Sequence, residues 1–255
     1  MSMENVKTSG PIRFAGESIA GLVRKNNEDN FVIVAERDRR TALAVVADGV
    51  GGHRHGEIVS SISCRDLARA YARTADAELL GEGAAEQFLR EELLRINRRV
   101  FELNLRDRNP YPMSSTIVVL LVLPDAAVMA SAGDSRLYEI SPGVGVRQLS
   151  TDHTLANDPL VPRALASDTV WAAHTISRAI GPRSNLRVDV RKFPRRGDER
   201  YFLCSDGVYH DLDQENIDKV LLKAESPRQT LNRMFRAVLL RGAHDNVTAV
   251  SIFPA

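Results

Sequence analysis

Short apolar runs that break at an acid beside glycine or asparagine recur along this chain, and they constrain the fold more than any other feature. "ALAVVADG" (42–49) and "YFLCSDG" (201–207) each run from an apolar stretch straight into Asp-Gly. "AAVMASAGD" (126–134) ends in Gly-Asp. "HDNVTAVSIF" (244–253) places Asp245 just ahead of such a run, and "RKNNEDNFVIV" (24–34) places Glu28 and Asp29 there. Runs of this length and content read as buried strands, and acids with Gly or Asn read as the turns that bound them. Taken singly, each acid is ordinary turn chemistry. Together they imply a sheet that gathers carboxylates at one place, because strand ends at one edge lie side by side.

The rest of the pattern supports a mixed architecture. Strand-like runs are Phe31–Glu36, Ala42–Ala47, Ser115–Leu123, Ala127–Ala132, Tyr201–Cys204 and Asn246–Phe253. Leu137–Ile140 and Val146–Leu149 flank "SPGVG", a hairpin turn by its Pro and Gly content. Residues Glu86–Leu105 place Leu89, Leu93, Ile96, Val100 and Leu103 on one helical face. Further helices are expected near Gly56–Tyr71, Gln214–Leu222 and Pro227–Leu240. Hairpin-linked strands with helices between them favour an α+β fold, an antiparallel sheet packed on helices, over regular βαβ alternation. Residues Thr151–Ala173 lack periodicity and read as an irregular insertion of the kind that forms lids or binding loops.

Composition removes several classes of function. A hydrophobic content of 44% in 255 residues supports a packed core, and a net charge of +1 gives no reason to expect a nucleic-acid surface or a polybasic membrane anchor. The first residues, "MSMENVKTSGPIRF", hold no signal-peptide core, and no later run reaches the ~20 apolar residues of a membrane span. A soluble, cytoplasmic chain is expected. Cys64 and Cys204 are too few and too distant to suggest a disulfide framework. Neither is followed six residues on by Arg, so the cysteine-nucleophile phosphatase signature is absent; both read as packed thiols.

Crowded carboxylates repel one another unless a cation neutralises them. An all-oxygen set suits Mg²⁺ or Mn²⁺ rather than Zn²⁺, and Gly after the acid leaves its carbonyl room to approach a metal. Two such ions suit in-line attack on phosphorus, and the planar fork of Arg24 matches phosphate geometry. The plain alternative for Arg24 is an ion pair with Glu28, four residues on. The chemistry is that of a metal-dependent phosphohydrolase.

Arg24-x-x-x-Glu28-Asp29, "DGVGGH" (48–53), "GDSRLY" (133–138), "CSDGV" (204–208) and "HDNVT" (244–248), in that order, resemble the metal-dependent serine/threonine protein phosphatases of the 2C type, in their compact bacterial form. Each motif is short; the ordered set is specific. The resemblance spans residues 12 to 253 and implies one catalytic domain, 1–255, folded as a four-layer α/β-β/α sandwich with the 151–173 insertion as a flap. It implies that Asp48 bridges two metals with the Gly49 carbonyl beside it, and that Asp206 and Asp245 complete one shell. Glu28 and Asp29 would order waters of the other metal, Asp134 would share a third, weaker metal with Asp206, and Arg24 would bind the substrate phosphate. The cofactor would be Mn²⁺ or Mg²⁺. The partner would be a phosphoprotein, the product of a Ser/Thr kinase, hydrolysed by a metal-activated water or hydroxide without a phosphoenzyme by a monomer.

One position departs from the pattern. Animal relatives carry a His directly after this Asp-Gly, where the present chain has Val50, so the proton donor is open between metal-bound water and His53. His53 and His55 also read as loop or helix-cap residues. Two other readings remain beside the protein phosphatase: a binding module of the same fold that has lost its chemistry, and a metal phosphohydrolase of small molecules. The intact acid set argues against the first.

Overall fold

The computed structural model describes residues 8–9, 12–35, 40–50, 55–107, 111–141, 143–161 and 169–254. In chain order come strands β1 (Thr8–Ser9), β2 (Ile12–Ile19), β3 (Asn30–Val34), β4 (Ala42–Ala47) and β5 (Gly49–Val50), then helices α1 (Gly56–Arg73), α2 (Asp76–Leu79) and α3 (Ala84–Asp107). Strands β6 (Ser114–Ser115), β7 (Ile117–Val122), β8 (Ala126–Ala132), β9 (Arg136–Ser141) and β10 (Gly145–Gln148) follow, with a short helix α4 (Thr169–His174) after them. The chain closes with β11 (Asp189–Pro194), β12 (Arg200–Cys204), helices α5 (Asp206–Tyr209), α6 (Gln214–Lys223) and α7 (Pro227–Arg241), and β13 (Val247–Pro254).

The strands form two antiparallel sheets, ordered β1-β2-β13-β12-β9-β10 and β11-β8-β7-β4-β3, with β5 and β6 as a small ribbon. Alternation along each strand decides the layers, since successive side chains point to opposite faces. In β4, Ala42, Ala44 and Val46 meet Tyr201 and Leu203 of β12 and Val250 and Ile252 of β13 in the core between the sheets. Leu43, Val45 and Ala47 face the other way, onto Leu67 of α1 and Leu89, Leu93 and Ile96 of α3. On the outer face of the first sheet, Phe202 and Cys204 pack on Ile217 and Leu221 of α6 and Leu231 and Met234 of α7. The result is helix, sheet, sheet, helix, the expected four-layer sandwich. Each large apolar side chain buried this way contributes about 1.5–3 kcal/mol.

The expected helices stand with ends shifted by one or two residues. Local chemistry sets some of those ends. Asp213 caps α6 by accepting from the Asn216 N–H, Ser226 caps α7 by accepting from the Gln229 N–H, and α7 stops at Gly242 in the left-handed region. Besides the two-residue β1 and β5, two strands lie outside the sequence expectation. β2 carries Arg13, Gly16 and Glu17, which interrupt an apolar pattern; Gly16 is required because the Phe31 ring lies 2.2 Å from where its Cβ would sit. β11 is an edge strand with Arg191 and Lys192 exposed, so alternation is weak there. The Ser115–Leu123 run divides at Thr116, between β6 and β7. Among the described residues no helix is long and apolar enough to cross a membrane.

Candidate active site

Thr116, where β6 gives way to β7, holds Asp48 at the end of β4. Its N–H donates to the Asp48 carbonyl at 2.8 Å, and its hydroxyl accepts from the Asp48 N–H at 3.2 Å. A pocket of about 600 Å³ opens beside it, with Arg24, Glu28, Asp48, Gly49, Asp206 and Asp245 in its wall. Four segments far apart in sequence thus deliver their expected residues to one cavity. Asp29 and Asp134 do not line it; they are buried, at 6% and 5% exposure.

Both still belong to the same charged cluster. Burial, with Asp29, Asp206 and Asp134 close by, holds the Asp48 carboxyl well above the ordinary carboxylate range. Burial pushes Asp29 up to about 7, opposed by a 2.7 Å hydrogen bond from the Ser205 hydroxyl. Burial also pushes Asp134 up to about 7, with repulsion from Asp206 adding to it. Asp206 is raised too, by burial first, with His210 at 3.5 Å acting against it. Glu28 is raised by burial and by Glu57. In each case burial is the first cause and a neighbouring carboxylate adds to it.

The donor set fits a hard divalent cation. Glu28 Oε2, Asp29 Oδ1 and Asp134 Oδ1 are buried acceptors with no hydrogen-bond partner. Unpaired buried carboxylate oxygens are costly, and a bound cation or its ordered waters would satisfy them. No three His, Cys, Asp or Glu side chains among the described residues close on one point as a metal cage. That is compatible with Mg²⁺-type binding, which keeps several waters and uses one or two carboxylates per ion.

The two Asp-Gly pairs also have a packing reason. A Cβ on Gly49 would lie 2.5 Å from the Gly56 carbonyl carbon and 2.7 Å from the Glu28 carbonyl oxygen. A Cβ on Gly207 would lie 2.0 Å from the Asn246 carbonyl oxygen. Glycine here lets α1, the Glu28 loop and the start of β13 crowd against the acids.

Residues 23–248 match the family model of Protein phosphatase 2C. The chain belongs to the protein phosphatase 2C family. It is accordingly a phosphatase, a hydrolase. It is similar to the serine/threonine phosphatase Stp of Listeria welshimeri, 26% identical over 235 residues that cover 91% of this chain and 92% of that one. Among solved structures it resembles PppA, titled a key regulatory component of T6SS in Pseudomonas aeruginosa, at 30% identity and a TM-score of 0.78, covering 98% of this chain and 100% of that one. It also resembles the catalytic domain of the phosphatase PstP in complex with two manganese ions, at 28% identity and a TM-score of 0.77, covering 95% and 98%.

Within this protein phosphatase 2C chain, Arg24 departs from its simplest sequence reading. Its hydrogen-bond partner is Asp245, at 2.7 Å, rather than Glu28. Val50 lines the pocket and has no ionisable group; Lys25, His55 and His174 line it as well. His55 occupies the N-cap position of α1, at φ 83, but its side chain makes no capping bond. His53 lies outside the described residues.

Sequence reasoning passed over the residues that tie the motifs together. Asn246 accepts from the Glu28 N–H at 2.9 Å and donates to the carbonyls of Ala20 and Asn26, so it clamps the Arg24–Asp29 loop to β13. Ser205 donates to Asp29 and accepts from the Thr248 N–H at 3.0 Å. Their only sequence signal is a small polar residue beside an acid, which turns share. His174 and His210, with ring centroids 5.2 Å apart, also stand beside the acids: His174 lines the pocket and His210 lies 3.5 Å from Asp206.

Proposed function

We propose that the chain hydrolyses phosphoserine and phosphothreonine in proteins, using two divalent cations, Mn²⁺ or Mg²⁺. Asp48, the Gly49 carbonyl, Asp206 and Asp245 would hold them, and Asp134 with Asp206 a third. The observation that carries this reading is the crowd of carboxylates with unpaired oxygens beside an open pocket that bears Arg24. The two manganese ions of the related PstP support the choice of metal. When bound, the cations neutralise the carboxylates, acidify a water and polarise the phosphoryl group.

The chain's own groups do the rest. Glu28 and Asp29 accept hydrogen bonds from water and so orient it. One nitrogen of Arg24 is held by Asp245, and its other donors have no partner among the described residues, which leaves them for phosphoryl oxygens. Cys64 and Cys204 are buried, and burial pushes both thiols up, so neither supplies a thiolate. A direct transfer to water with no phosphoenzyme, the route the family resemblance implies, needs no such thiolate. The substrates are products of a serine/threonine kinase; the Listeria relatives carry the name serine/threonine phosphatase, which supports that substrate class.

The test is phosphate release from a phosphothreonine peptide and from small phosphoesters, with Mn²⁺ and with chelator. Peptide hydrolysis that needs the metal is expected. Hydrolysis by metal-free enzyme, or of small phosphoesters alone, would overturn the reading.

A further inference from the structure

A second concavity, of about 460 Å³, adjoins the catalytic pocket, and Val50 and Ile176 line both. Its wall continues through the apolar Leu186, the polar Ser114, Ser177 and Asn185, and three arginines, Arg178, Arg183 and Arg187. Two of the three are neutralised: Arg178 bonds Asp189 at 2.9 Å, and Arg187 bonds Asp158 at 2.8 Å. Arg183 is exposed and has no ionic partner among the described residues. Its backbone carbonyl anchors the segment, accepting from Asn97 at 2.9 Å, while its side chain takes no part in that anchoring. Among the described residues the groove therefore carries one unpaired cationic side chain along a wall of mixed apolar and polar residues that adjoins the catalytic pocket.

We propose that this groove binds the stretch of the substrate protein next to the phosphorylated residue, with an anionic side chain of that stretch on Arg183. The inference rests on the protein-phosphatase reading of the adjoining pocket. An extended chain advances about 3.3 Å per residue, so a substrate held by its phosphate passes its next few residues over Val50 and Ile176. The apolar residues of the wall accept their side chains. The unpaired fork of Arg183 fits a carboxylate or a second phosphate, bidentately in either case. Arg178 and Arg187, already paired, hold the groove's shape and add no net charge.

The experiment is steady-state kinetics at saturating Mn²⁺ on phosphothreonine peptides that differ only by Glu, Gln or a non-hydrolysable phosphonate analogue of phosphoserine at two to four residues from the phosphothreonine. Wild-type enzyme should show a KM about three- to ten-fold lower for Glu than for Gln, the range of one partly exposed charge-assisted bond. The phosphonate should rank with Glu or above it if phosphate is the natural anion, and below it if carboxylate is. Arg183→Ala should bring the Gln-to-Glu ratio of KM to about one, and Arg183→Glu should invert it. The ratio is internal to each variant, so a general loss of activity does not imitate the effect. Absence of any preference in wild type, or a preference that survives Arg183→Ala, overturns the groove while leaving the phosphatase reading intact. An enzyme that hydrolyses p-nitrophenyl phosphate but no phosphopeptide overturns both.

Discussion

Arg24 is held by Asp245 at the pocket wall, and that contact separates two roles for it. As an exposed ion pair it is worth about 0–1 kcal/mol. As a phosphate clamp it makes charge-assisted bonds to substrate worth about 1.5–3 kcal/mol, so Arg24→Ala should lower kcat/KM by roughly 10- to 100-fold. Arg24→Lys should recover only part, because an ammonium cannot reproduce the fork. Phosphopeptide kinetics beside a thermal melt decide it: unchanged kinetics make Arg24 an ordinary surface residue, and lost folding makes it structural. Asp206 carries a different expectation. Its side chain lines the pocket and its charge acts on both Asp48 and Asp134, so Asp206→Asn should lower activity roughly a hundred-fold or more and raise the Mn²⁺ concentration needed for half-maximal rate. Wild-type turnover from that variant would remove Asp206 from the metal shell.

At the scale of elements, α1 meets the Asp48 turn so closely that neither partner has room for a side chain. A Cβ on Gly56 would lie 2.3 Å from Glu28 Oε2, and one on Gly49 2.5 Å from the Gly56 carbonyl carbon. Gly49→Ala must therefore push α1 and the Glu28 loop away from the sheet end, and backbone atoms cannot yield as a side-chain tip can. Overpacking of this kind costs about 1–3 kcal/mol. The expected outcome is a lower melting temperature together with loss of activity that extra Mn²⁺ restores only in part. A variant with wild-type melting and full activity would show that the two elements slide apart freely. The joint with β13 is polar instead: Asn246 spends its side chain on the Glu28 N–H and two loop carbonyls.

For the whole molecule, the buried acids couple stability to pH and to metal. In metal-free protein Asp29 and Asp134 titrate at about 7, against roughly 4 in an unfolded chain. Between those values the folded state binds more protons than the unfolded one, so stability falls as pH rises. The favourable contribution is complete below about pH 4 and is lost through about pH 7. Cations that bind only the folded state replace those protons and reverse the trend. Thermal melts in chelator should drop between pH 5 and 8, and Mn²⁺ should raise the melting temperature most at pH 8. A melt at pH 8 that ignores Mn²⁺ would contradict the assignment of these carboxylates to a cation site.

Strand positions were legible in the sequence because alternation is a local property. β4, β7, β8, β12 and β13 each show an apolar run long enough to be buried, and the Asp-Gly pairs mark where two of them stop. The order of the motifs carried the family and, through it, the second sheet and its helices. β2 and β11 were not legible, since one is interrupted by charge and glycine and the other exposes half its length. What lay beyond the sequence were the contacts that cross the chain. Arg24 meets Asp245 across 221 positions, and Asn246 holds Glu28 across 218. Those pairings follow from β2 lying beside β13, and β13 beside β12, in one antiparallel sheet. The residue types at the site are therefore written in short stretches of sequence. Their partners are set by sheet order, which depends on how all the apolar faces bury one another at once and has no local signature.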